Sequence, residues 1–162
     1  MSWDYNKSAE LYGINQWGKG YFKINENGNV DINPESNKCL DLYKLTQDLI
    51  ERGIRSPLLI RFPDIVKKRV ELLANCFKNA MEETKYQGGY SGVYPIKVNQ
   101  QKHLVDEIIN FGANHKLGLE CGSKPELLIA LSVMKTPDAL IICNGFKAVS
   151  YTHLTLPTIC SV

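Results

Sequence analysis

A chain of 162 residues with 44% hydrophobic and 22% charged residues has the makeup of a globular protein with a sizeable core. Its 19 basic and 17 acidic residues leave a net charge of +2, which gives no case for a nucleic-acid or membrane partner, and no apolar run is long enough to span a bilayer. Five cysteines without CxxC spacing argue against a zinc site or disulfide framework. Together with an N-terminus that lacks the order of a signal peptide, they suit a reducing, cytoplasmic setting.

Residues 8–12 read as a short helical turn with Ser8 as a cap. Gly20 to Ile24 and Asn29 to Ile32 alternate weakly around Asn27-Gly28, which predicts a β-hairpin closed by Pro34. Leu40, Leu42, Leu45, Leu49 and Ile50 mark an amphipathic helix ending at Gly53. Pro57 to Phe62 is a short apolar strand. Pro63 then opens a helix to about Tyr86, with Ile65, Val66, Val70, Leu73, Phe77 and Met81 on its apolar face. A strand follows at Tyr90 to Val98 and a helix at Gln101 to Phe111, with Leu104, Val105, Ile108 and Ile109 inward. The last elements are a strand at Lys116 to Glu120, a helix at Ser123 to Met134 with Pro125 in its first turn, and a strand at Ala139 to Cys143.

Short apolar strands alternating with helices predict an α/β fold with a parallel sheet and right-handed crossovers. An open doubly wound sheet and part of a (β/α)8 barrel both fit, and four strands are half of the barrel. Either way, functional residues gather at the C-terminal ends of strands. Lys97, Glu120 and Asn144 all lie there. A lysine held against apolar walls loses solvation, so it sheds its proton more easily and can bond an aldehyde cofactor. The alternative for Lys97 is a stem lying on the sheet edge with its head in water. Glu120 either faces a pocket, where it would stabilise a cationic cofactor or amine, or is structural. Ser123 and Glu126 have the spacing of a capping box, which explains both without a ligand. Cys121 and Cys143 have no histidine near them in sequence, which argues against a nucleophilic role. There is no Walker loop, GxGxxG or HExxH.

The run Val93-Tyr94-Pro95-Ile96-Lys97-Val98-Asn99-Gln100-Gln101 resembles the cofactor-lysine segment of the biosynthetic arginine decarboxylases. The flanking text agrees in order: Glu10 to Ile14, Trp17 to Phe22, Leu59 to Ile65, Leu117 to Leu127, and Ile141 to Gly145. The resemblance runs from about residue 3 to about residue 147. It implies a fold similar to alanine racemase and ornithine decarboxylase, in which a (β/α)8 barrel carries pyridoxal phosphate and a separate β-domain completes the site. It implies Lys97 as the Schiff-base lysine. Glu120 matches an acidic residue near the cofactor, and Ser123 matches a further cofactor-binding position of that loop. Magnesium is implied as well, with no ligand assigned. The implied reaction converts L-arginine to agmatine and carbon dioxide in polyamine biosynthesis, by a cytoplasmic homo-oligomer.

Members of that family are several times longer. The expected organisation is therefore an N-terminal segment with the β-hairpin (1–36), the first half of the barrel with about four strands (37–147), and a non-native tail (148–162). The tail resembles the in-frame translation of a sequencing adapter. On this reading the chain is an N-terminal fragment, inactive alone. Two alternatives stay open: a related basic amino-acid decarboxylase, and a non-catalytic pyridoxal-phosphate-binding or regulatory homologue.

Overall fold

Asp4, not Ser8, starts the first helix. The structure is a computed structural model that describes residues 4–35, 38–146 and 149. Helix α1 spans Tyr5–Leu11, and the Asp4 carboxylate accepts from Lys7 N at 2.9 Å. A carboxylate at this position satisfies an amide that the helix leaves unpaired and favours the positive end of the helix dipole. A second short helix, α2, spans Ile14–Trp17.

The chain divides into two compact units, Met1–Ile65 and Val66–Val162. In the first, β1 (Phe22–Ile24), β2 (Val30–Glu35) and β3 (Lys38–Asp41) form an antiparallel sheet in that order. The hairpin expected around Asn27-Gly28 forms, but its loop covers five residues. The side chain of Asn25 explains the longer loop. Its Oδ1 accepts from Asn27 N and Asn29 N, both at 3.0 Å, and its Nδ2 donates to Asp31 Oδ1 at 2.7 Å and Asp41 Oδ2 at 3.1 Å. Pro34 does not end the sheet. It lies in β2 where the register shifts between Ile32 and Glu35, a place where a missing amide proton costs no ladder bond. Leu40, expected to begin a helix, pairs with Ile32 in β3, and helix α3 (Leu42–Glu51) starts behind the Asp41 cap. The domain boundary expected at 36/37 lies outside the described residues.

The segment 57–62 forms no strand ladder among the described residues. It does keep a strand's alternation: Leu58, Ile60 and Phe62 are partly buried, while Leu59 and Arg61 are exposed. Phe62 packs edge-on against Phe22, with ring centroids 6.4 Å apart. Helix α4 then runs Pro63–Thr84, and none of its described residues is fully buried.

The second unit holds β4 (Val93–Pro95), β5 (Gly118–Cys121) and β6 (Ile141–Cys143), parallel and adjacent in chain order. The described parallel sheet thus has three strands where four were expected. Helices α5 (Lys102–Gly112) and α6 (Lys124–Val133) connect them and cover one face. The core between sheet and helices contains Ile96, Val105, Ile109, Leu119, Cys121, Leu127, Ala130 and Val133. Residues of α5 expected inward are inward: Val105, Ile108 and Ile109 are buried and Leu104 is partly so. No helix among the described residues is long and apolar enough to cross a membrane.

Candidate active site at the strand ends

Parallel strands present all their C-terminal ends at one edge, so residues just past them share an edge of the sheet. The structure brings three of the expected residues there. Lys97 follows β4, Glu120 is the penultimate residue of β5, and Asn144 follows β6.

Lys97 is not on the strand itself. β4 ends at Pro95, and Ile96–Val98 form one turn of 3-10 helix. Ile96 is completely buried in the core, whereas Lys97 is exposed. The expectation of a lysine held against apolar walls is therefore not met in this structure, and its ammonium contacts no partner among the described residues.

Glu120 sits on the other side of β5 from the core. Side chains alternate along a strand, and Leu119 and Cys121 face α5 and α6, so Glu120 faces away from those helices. In register it lies between Pro95 of β4 and Ile142 of β6. It is 8% exposed, a low value for a carboxylate. It accepts no hydrogen bond from the described residues, and none of their side-chain oxygens is both fully buried and unpartnered. Its oxygens are thus not fully sealed from their surroundings.

The loop after β5 has two jobs in one short stretch. Ser123 is the N-cap of α6, and its Oγ accepts from Glu126 N at 3.4 Å. The Glu126 carboxylate reaches back to Gly122 N at 2.7 Å, one residue earlier than in a standard capping box. The cap occupies an acceptor site of the Ser123 hydroxyl and leaves its proton available to donate. Asn144 N donates to Cys121 O at 2.8 Å, which ties the β6 end to the β5 end. Burial, with smaller contributions from Cys143, Glu126 and Glu120, pushes the Cys121 thiol up to about 12. Such a thiol is protonated at neutral pH and is a poor nucleophile, in line with its sequence context.

One residue that the sequence did not single out is Tyr94. Its hydroxyl donates to Asn99 O at 3.1 Å, across the turn that carries Lys97. Nothing in the local sequence announces that bond, because it depends on how the turn folds back.

The ends of the adjacent strands β4 and β5 thus carry an exposed lysine and a largely buried carboxylate. The sequence matches the family model "Pyridoxal-dependent decarboxylase, pyridoxal binding domain" over residues 68–157, more than half of the chain. The chain belongs to the pyridoxal-dependent decarboxylases. The match continues past the tail boundary expected at 148, although of residues 147–162 only Val149 is among those described.

Within this family the chain is similar to the biosynthetic arginine decarboxylase of Gloeobacter violaceus, at 53% identity over 158 residues. The alignment covers 96% of this chain and 24% of that protein. The corresponding enzyme of Thermosynechococcus vestitus is 50% identical, over 96% of this chain and 25% of its own length. The crystal structure of the biosynthetic arginine decarboxylase SpeA from Campylobacter jejuni superimposes with a TM-score of 0.80 at 37% identity, over 90% of this chain and 24% of that one. The chain thus spans about a quarter of the length of the curated relatives it matches.

Proposed function

We propose that the full-length protein decarboxylates L-arginine to agmatine and carbon dioxide with pyridoxal phosphate, a step of polyamine biosynthesis, and that Lys97 carries the cofactor. The supporting observation is the exposed Lys97 turn at the end of β4, the strand paired with the one that carries Glu120, within a sequence 53% identical to a biosynthetic arginine decarboxylase. On this reading the parallel strands and their helices are the early part of a (β/α)8 barrel. The N-terminal antiparallel sheet belongs to a separate β-domain, and the full-length protein works as a homo-oligomer.

The residues present fit pyridoxal phosphate in three ways. Lys97, exposed on its turn, would hold the cofactor through its Nζ, with room for that side chain to move. Glu120, a largely buried carboxyl group on the side of β5 away from the helices, would favour a positive charge beside it and so help hold a proton on a neighbouring nitrogen of cofactor or substrate. The Ser123 hydroxyl can donate to an anionic group while its oxygen still caps α6. When bound, the cofactor supplies an electron sink for the pair left behind by carbon dioxide. Magnesium, implied by the resemblance, has no group of three or more candidate side-chain ligands among the described residues, and no step is assigned to it.

The test is product analysis of the full-length protein with pyridoxal phosphate, offered arginine, ornithine, lysine and diaminopimelate in parallel. Agmatine should form, with kcat/KM for arginine at least about a hundredfold above the others. A preference for another amino acid would reject arginine as the substrate. Absence of any decarboxylation would favour a non-catalytic homologue.

Glu120→Gln keeps the shape of the side chain and removes its charge. It should lower kcat by on the order of a hundredfold while leaving the melting temperature nearly unchanged. An unaltered kcat would remove Glu120 from the site.

A further inference from the structure

We propose that Tyr94 is a positioning residue, whose hydroxyl holds the turn that presents Lys97 at the strand ends; this rests on the assignment of Lys97 given above. The turn is short and its own hydrogen bonding is limited, since a single 3-10 turn has poorer geometry than an α-helix. Its shape therefore depends on what fixes its two ends. At the first end, Ile96 is fully buried in the core. At the other end, Asn99 O accepts from Tyr94 Oη at 3.1 Å.

Both groups that clamp the turn are themselves anchored. Tyr94 pairs in register with Leu119 and packs against the core cluster, so its ring is not free to follow a moving loop. Asn99 is tied forward as well. Its Oδ1 accepts from Gln101 N at 3.1 Å, and Gln101 O in turn accepts from Leu104 N and Val105 N at the start of α5. The bond from Tyr94 thus links the core under β4 to the start of α5, directly across Lys97. Burial raises the Tyr94 phenol above its usual range, partly offset by the bond to Asn99. It remains a neutral donor at physiological pH.

A tyrosine that only satisfied its own partly buried hydroxyl would add to stability and nothing else. A positioning residue must also alter the dynamics of the turn and the turnover of the enzyme, with little effect on substrate affinity. Tyr94→Phe in the full-length protein with pyridoxal phosphate bound separates the two, because it removes one oxygen and keeps the ring. Amide exchange at residues 97–99 should rise about tenfold, the factor expected for loss of one ordinary neutral hydrogen bond. The kcat for arginine should fall about tenfold with KM within about twofold. Borohydride should still fix one cofactor on Lys97.

Unchanged exchange at residues 97–99 would overturn the proposal. So would faster exchange with unchanged kcat, since the bond would then be structural only. Lys97→Ala, run alongside, checks the underlying assignment. Cofactor fixed by borohydride in that variant would overturn the role of Lys97 itself, a result distinct from a Tyr94→Phe protein that behaves as wild type.

Discussion

Lys97→Ala in the full-length protein is expected to abolish the visible absorption band of a lysine-bound pyridoxal cofactor and to lower kcat by roughly a thousandfold or more. The substitution removes the only atom of this residue that can bond an aldehyde. It should leave the fold alone, because the Lys97 side chain is exposed and the turn is anchored by Ile96 and by the Tyr94–Asn99 bond rather than by the lysine. A surface truncation of that kind costs within about 0.5 kcal/mol. The functional loss and the stability are thereby separated: near-native melting with no absorption band is the expected pair. A retained band would show that another amine carries the cofactor, and peptide mapping after borohydride reduction would identify it.

Much of the second unit could be read from the sequence, for local reasons. Val105, Ile108 and Ile109 recur at helical spacing and are buried together. Ser123, Pro125 and Glu126 mark the start of α6. The placement of Lys97 just past a strand end was legible from the strand pattern. Its local structure was not, since Ile96, Lys97 and Val98 look like a continuing strand, and only the bond from Tyr94 to Asn99 and the burial of Ile96 turn the chain there. The orientation of Glu120 was likewise hidden. Alternation says that Leu119 and Glu120 face opposite ways, but which face α5 and α6 cover is a tertiary matter. At 57–62 the extended conformation was legible and the pairing was not. A ladder needs a neighbouring strand in register, and no six-residue segment encodes its partner. Leu40 shows the converse. Its apolar spacing suited a helix, but pairing with Ile32 drew it into β3, and Asp41 supplied the cap one residue later.

The site also makes a structural demand that can be tested at two glycines of the same loop-and-strand segment. Gly118→Ala should destabilise the protein by about 3 kcal/mol or more, whereas Gly122→Ala should cost about 1 kcal/mol or less. A Cβ on Gly118 would overlap the carbonyl oxygen of Leu140 and lie 2.9 Å from its carbonyl carbon and its nitrogen. All three are backbone atoms, so no side chain can rotate away. The same carbonyl accepts from Leu119 N at 2.9 Å, and Gly118 N is held by Gly92 O at 2.9 Å on the other side. Relieving the overlap therefore means parting β5 from β6 where their ladder begins, at Leu119 and Ile141. At Gly122, by contrast, a Cβ would meet only the Glu126 carboxylate, at 3.6 Å, an ordinary contact. Thermal unfolding of the two variants side by side gives the comparison, and equal melting temperatures would refute it. Because β5 carries Glu120 and its end is tied to Asn144, the Gly118 variant of the full-length protein should also lose the proposed activity, while its chemical groups remain intact.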